Sequence, residues 1–200
     1  MKPKSIKRDQ PSEVTSGSGK FNSPPFDGPL VIYELIGLLN TTFGLTHCPG
    51  RNDKHSKAKL WNRNLLDDFS EIRNWGADVL ISLNEAQEFQ QLGVPEFPEI
   101  ARRQNFDWYH LPIQDFSAPG IIFEEAWLKN SEAILGHIDH GSKIIIHCAA
   151  GLGRTGTFTA KLLTKFGWDP QIAINEVRRV RPGAIERQIQ EMYILNEKPL

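Results

Sequence analysis

Long apolar runs are missing from this 200-residue chain. None approaches the about eighteen residues that a membrane-spanning helix needs. The first twenty residues also lack the apolar stretch of a secretory signal. Cysteine is scarce: Cys48 and Cys148 are the only two, which excludes a disulfide scaffold and points to a cytoplasmic protein whose thiols stay reduced. An excess of charge is missing as well. With 23 basic against 24 acidic side chains, bulk electrostatics favour neither nucleic acid nor an anionic membrane as a partner. Metal-ligand spacing is absent too, since His47 with Cys48 and His137 with His140 are pairs without the further ligands of a zinc site. No metal or other cofactor is expected. No internal repeat is visible, and the length suits one domain with a substantial core.

What is there is concentrated in Lys143-Ile-Ile-Ile-His-Cys-Ala-Ala-Gly-Leu-Gly-Arg-Thr-Gly156. Three consecutive isoleucines read as a short buried strand. From Thr155 to Phe166, the spacing of Phe158, Leu162, Leu163 and Phe166 predicts a helix. A strand, a glycine-bearing turn and a helix N-terminus make an anion site, because successive N–H groups turn inward and the helix dipole adds positive charge. Cys148 opens this loop and Arg154 closes it, so both side chains can face one anion. A cysteine so surrounded is set up to react as a thiolate. Arg154 offers a planar fork that fits two phosphate oxygens, and Gly151 and Gly153 permit close backbone approach. Thr155 can donate its hydroxyl to the thiolate, and His147 can fix the loop from behind. The same glycines, Gly151-x-Gly153-x-x-Gly156, fit a dinucleotide fingerprint. That reading needs a second strand ending in an acid about twenty residues on, whereas Asp169 precedes a proline and Glu176 lies in a helical pattern. No Gly-Lys-Ser/Thr follows, so the loop is not a Walker A element.

His147-Cys-Ala-Ala-Gly-Leu-Gly-Arg-Thr-Gly156 resembles the signature of the cysteine-dependent protein tyrosine phosphatase superfamily. The resemblance implies phosphate-ester hydrolysis through a phosphocysteine. Cys148 would be the nucleophile, and Ala149, Ala150, Gly151, Leu152, Gly153 and Arg154 would bind the phosphate. Such chemistry also needs an acid to protonate the leaving oxygen. Asp115 lies in the turn-rich Gln114-Asp-Phe-Ser-Ala-Pro-Gly120, 33 residues before Cys148, and resembles the family's mobile general-acid aspartate. The other reading is a turn aspartate bonding its own backbone. Near the C-terminus, Arg181-Pro-Gly-Ala-Ile-Glu-Arg-Gln-Ile-Gln190 resembles the family loop that carries water-orienting glutamines. Gln190 falls on one such position and Glu186 replaces glutamine at the other. Gln188 and Gln190 equally suit the surface of a final helix.

The strand, acid loop, long helix, phosphate loop and closing Pro-Gly-Ala-Ile segment look like the dual-specificity branch. That resemblance implies an α/β fold, a mixed, mainly parallel sheet covered by helices, in one phosphatase domain over 26–200; residues 1–25, rich in Lys, Ser, Pro and Gly, read as a disordered tail. The expected partner is a phosphorylated protein, acted on by a monomer at phosphotyrosine first and at phosphoserine or phosphothreonine besides. Uncharged Ala149, Ala150 and Leu152 disfavour the alternative of a phosphoinositide substrate. The presence of Cys148, Arg154 and Asp115 together disfavours a phosphate- or nucleotide-binding module without turnover. Cys48 remains as a thiol that could trap an oxidised Cys148. Along the chain, strands are expected at Pro29–Tyr33, Gly44–Thr46, Ala77–Leu83 and Phe106–Leu111. Helices are expected at Asn62–Trp75, Glu85–Gln91 with Asn84 as cap, Ile122–Ile138, from Trp168–Pro170 to Val180, and Glu186–Leu195, with a helical turn within 95–104.

Overall fold

The computed structural model describes residues 28–53 and 61–196; the tail expected over 1–25 and most of the polar loop before Trp61 lie outside them. Five strands form one sheet: β1 (Tyr33–Ile36), β2 (Thr42–His47), β3 (Val79–Ser82), β4 (Asp107–His110) and β5 (Lys143–Cys148). Their order is β1-β2-β5-β3-β4, with β1 antiparallel to β2 and the other three pairings parallel. The isoleucine run is therefore the central strand, and side-chain alternation decides which face each residue covers. Ile144 and Ile146 pack with α4 (Ile121–Asp139), α5 (Gly153–Lys165), α6 (Pro170–Val180) and α7 (Gln188–Leu195). Ile145 packs on the other face with α1 (Leu65–Trp75), α2 (Ala86–Gln91) and α3 (Phe97–Ala101). A strand buried on both faces needs an unbroken apolar run rather than alternation, which is why Ile144–Ile146 reads so clearly.

Local chemistry sets the helix ends. Asn64 caps α1 by accepting from the N–H groups of Leu66 and Asp67, and Gly76 ends it at φ 87°, the left-handed geometry that glycine adopts most readily. Asp169 caps α6 in the same way. Elsewhere the boundaries differ from expectation for identifiable reasons. The strand expected at Pro29–Tyr33 begins only at Tyr33: the Val31 carbonyl accepts the Thr46 hydroxyl at 2.9 Å, a side-chain bond outside the strand pairing. The helix expected to start at Glu85 under an Asn84 cap starts after Glu85, because Glu88 reaches back to the Glu85 N–H at 2.7 Å. α7 starts at Gln188 rather than Glu186, since Ile185 sits at φ 58° and Arg187 is extended. α5 begins two residues earlier than its apolar spacing suggests, at Gly153.

Chain connections place the site. β5 runs between β2 and β3, so the strand order reverses around it. In open parallel sheets such a switch point, at the carboxyl ends of the strands, leaves a crevice for ligands. Cys148 is the last residue of β5.

Candidate active site

The loop from Cys148 to Arg154 joins β5 to α5, and its carbonyls face outward. Arg51 donates to the Ala149 carbonyl at 3.0 Å, and Arg181 donates to those of Gly151 and Ala150 at 3.1 and 3.3 Å. In a trans peptide the N–H points opposite to the carbonyl of the preceding residue. Holding three carbonyls out therefore turns the N–H groups of Ala150, Gly151 and Leu152 into the loop. Gly151 takes φ 67°, and a Cβ there would lie 2.4 Å from the Thr46 carbonyl oxygen, so only glycine lets the loop lie on β2. Arg51 is fixed by Asp53 at 2.7 Å and by Trp61 beneath its guanidinium; Arg181 lies over Tyr33. His147 is buried below the loop with Nε2 2.6 Å from the Ser82 hydroxyl. Burial pushes its pKa down to about 3, against a smaller upward pull from the backbone at Cys148. It is thus a neutral structural support, as its place behind the loop suggests.

Arg154 is almost fully buried and spends most of its donors inside the protein. Nη1 donates to Glu88 at 2.5 Å and to the Ile113 carbonyl at 3.0 Å; Nη2 donates to the other Glu88 oxygen at 2.9 Å. Asp115 Oδ1 stands 3.0 Å from Nη2. Of five guanidinium hydrogens, those left for a phosphate are the one on Nε and the one now directed at Asp115. The two-oxygen grip expected of the fork is thus directed at Glu88. Burial alone would lower the pKa of Arg154, but its bonds with Glu88 and the nearby charges of Cys148, Glu88 and Asp115 hold it above its usual value.

Glu88 carries no sequence signal for this role beyond an acid in the first turn of a short helix. Its capping of α2 and its grip on Arg154, 66 residues away, are one arrangement. Glu88→Gln removes the charge from both bonds, and charge-assisted bonds are about twice as strong as neutral ones. The expected result is kcat/KM for an aryl phosphate lowered roughly 10–100-fold, less than the about 10²–10³-fold that deleting a donor outright costs, with a lower melting temperature. A variant within twofold of wild type would show that the Ile113 carbonyl suffices to hold Arg154.

Asp115 lies half-exposed on the loop between β4 and α4, and its Oδ1 also accepts from the Phe116 N–H at 3.0 Å. Both readings of this residue therefore meet in one geometry, a turn aspartate facing the arginine of the loop. Phe116 sits at φ 56° under the guanidinium of Arg187. Gln190 is buried rather than on the surface: Nε2 donates to the Ser117 carbonyl at 3.1 Å and Oε1 accepts from the Arg187 N–H at 3.2 Å. Both ends of its amide lie 3.0 Å from where a Cβ on Gly153 would stand. Gln188 is exposed. The Thr155 hydroxyl is fully buried without a hydrogen-bond partner among the described residues. Cys48 directly follows His47, the strand partner of Cys148, and burial raises its pKa. Its thiol faces the Pro49 carbonyl, and both cysteines are free. Among the described residues no cluster of three or more metal-ligating side chains occurs, and no helix is long and apolar enough to cross a membrane.

A strand-end cysteine, an outward-carbonyl loop and a buried arginine facing an aspartate define a recognisable site. A family profile described as "Polymorphic toxin system, DSP-PTPase phosphatase" matches residues 57–168. The chain belongs to this phosphatase family. The phosphatase is 27% identical over 155 residues to cyclin-dependent kinase inhibitor 3 of Mus musculus, covering 77% of its own length and 70% of the relative. It is 32% identical over 156 residues to the tyrosine-protein phosphatase CDC14 of Saccharomyces cerevisiae, covering 72% of its own length and 26% of that protein. A crystal structure of kinase-associated phosphatase, with its catalytic-site cysteine replaced by serine, superposes with a TM-score of 0.71 at 25% identity. That match covers 84% of the phosphatase and 93% of the other chain. The mixed sheet covered by helices is the dual-specificity phosphatase fold, and the protein is an enzyme of the protein-tyrosine and dual-specificity phosphatase class.

Proposed function

We propose that the phosphatase hydrolyses phosphate monoesters on protein side chains, phosphotyrosine first and phosphoserine or phosphothreonine besides, through a phosphocysteine at Cys148. The observation that carries this is the loop that runs from Cys148 to the buried Arg154 with the carbonyls of Ala149, Ala150 and Gly151 held outward, and with Asp115 at the arginine's edge. The thiolate is the attacking form of a cysteine. Its sulfur bonds to phosphorus as the ester oxygen leaves, and that oxygen takes the proton of the Asp115 carboxyl. Water then attacks phosphorus, the Asp115 carboxylate takes a proton from it, and the sulfur–phosphorus bond breaks to give inorganic phosphate. The inward N–H groups and Arg154 stabilise charge on the transferring oxygens without reorganising. The buried Thr155 hydroxyl is positioned to serve the departing sulfur, and Gln190 to hold the acid loop and the attacking water.

The surroundings of Asp115 support a peptide rather than a polyphosphorylated headgroup. A groove of about 400 Å³ opens beside it, walled by Pro112, Ala118, Ile121, Ile122 and Phe123 and edged by Glu85. No lysine or arginine lines it, whereas a second or third phosphate would need one. The test uses phosphotyrosyl, phosphothreonyl and phosphoinositide substrates in the presence of a chelator, with rapid acid quenching to capture a protein-bound phosphate. Turnover of phosphopeptides with a quenchable phosphoenzyme is expected. A marked preference for the lipid, or no phosphoenzyme under saturating substrate, would overturn the reading.

A further inference from the structure

The sequence places Glu186 where the family carries glutamine, and the fold aims it with some effort. Ile185, just before it, is held at φ 58°, a region that β-branched residues rarely occupy. Strain of this kind persists only where surrounding contacts enforce it, and it concentrates at functional positions. Here Arg178 enforces it, donating to the carbonyls of Ala184 and Ile185 at 3.3 and 3.1 Å while paired with Glu191 at 2.7 Å. The Ile185 side chain is buried in the core as a further anchor. The result is that Glu186 Oε2 accepts from the Gly153 N–H at 2.8 Å. A Cβ on residue 153 would stand 2.7 Å from that oxygen, so glycine is needed for the approach.

Gly153 is the first residue of α5. Its N–H is one of the donors a helix leaves unsatisfied at its start, on the positive end of the dipole. It lies between the inward N–H groups of the loop and Arg154, so a phosphate bound there would draw on this donor too. We propose that Glu186 is a built-in competitor for the phosphate site: its carboxylate takes the Gly153 N–H, and a phosphate must displace it to be fully bound. The idea rests on reading the loop as a phosphate cradle. A glutamine in the same place could still accept from Gly153, but through a weaker, uncharged bond and without repelling a dianion. The carboxylate thus weakens the hold on phosphate, and inorganic phosphate, the product, leaves more easily.

The test compares wild type with Glu186→Gln and Glu186→Ala, using inorganic phosphate as a competitive inhibitor of aryl phosphate hydrolysis. In both variants the inhibition constant for phosphate should fall about 3–10-fold, and kcat/KM should rise in parallel. Glu186 is exposed, so both variants should fold, which a thermal melt checks. An inhibition constant unchanged within twofold, or a weaker one, would overturn the proposal. So would a tenfold fall in kcat with accumulating phosphoenzyme, which would assign the carboxylate to the water step. Phosphate that failed to compete in the wild type would instead bring down the cradle reading itself.

Discussion

Cys148→Ser should abolish hydrolysis of aryl phosphates and phosphopeptides, with kcat lowered on the order of 10⁴–10⁶-fold. A serine hydroxyl is a weak nucleophile unless a neighbouring base takes its proton. Neither histidine beside position 148 supplies one. His147, its neighbour in sequence, has its Nε2 on Ser82, and burial pulls its pKa to about 3. His47, paired with Cys148 across β2 and β5, is pulled to about 3 by burial and by the charges of Arg63 and Arg51. An imidazole so weakly basic cannot deprotonate an alcohol. The change should leave the fold intact, because the side chain is nearly isosteric at the end of a strand held on both sides. Kinase-associated phosphatase, similar in fold, has been crystallised with its own catalytic-site cysteine replaced by serine. Binding should survive as well, since the loop N–H groups and Arg154 are untouched. The checks are steady-state turnover, a thermal melt and phosphopeptide binding by calorimetry. Residual turnover above about one per cent, with no wild-type contamination, would place the nucleophile elsewhere.

The chemistry proposed for the loop is legible because its residues are local. The proposed nucleophile, the glycines, the arginine and the helix start fall within seven consecutive residues, and the strand before them is an apolar run that no exposed segment would carry. What closes the site is not local. Glu88 reaches Arg154 across 66 residues, Arg181 and Arg51 reach the loop carbonyls of Gly151 and Ala149 across 30 and 98, and Gln190 reaches Ser117 across 73. Nothing in the spacing of a single chain encodes such pairings. In Asn84–Glu88 the cap chemistry was visible, but its assignment went to Asn84, because the reach of Glu88 back to the Glu85 N–H depends on how the helix enters. β1 was misplaced for a related reason. Leu30–Tyr33 is as apolar as any strand, yet an edge segment pairs only where its single neighbour offers a ladder, and that ladder runs from Tyr33↔Leu45 to Ile36↔Thr42. The start of α7 was missed because Ile185 adopts a backbone conformation its residue type disfavours. Local rules failed there at a residue that positions the Glu186 carboxylate on the Gly153 N–H.

Asp115→Asn separates the two roles the geometry allows for that residue. As a turn residue, Asp115 accepts from the Phe116 N–H through Oδ1, and an asparagine carbonyl can accept in the same way. If that were its whole contribution, the substitution would be nearly silent. A general acid contributes about 10²–10⁴ in rate, and asparagine has no proton to give, so kcat should fall by that factor. The loss should depend on the leaving group. An ester of a strongly acidic phenol departs without help and should lose least, while phosphoserine or phenyl phosphate should lose most. KM should not rise, because the substitution takes the negative charge away from Arg154 Nη2 and so weakens the competition for a donor the substrate needs. The loop should stay in place, since Gln190 holds Ser117 and Arg187 covers Phe116 independently of the charge at 115. A uniform loss across leaving groups would mean that the loop, not the proton, had been disturbed, and activity within threefold of wild type would leave Asp115 as a turn residue only.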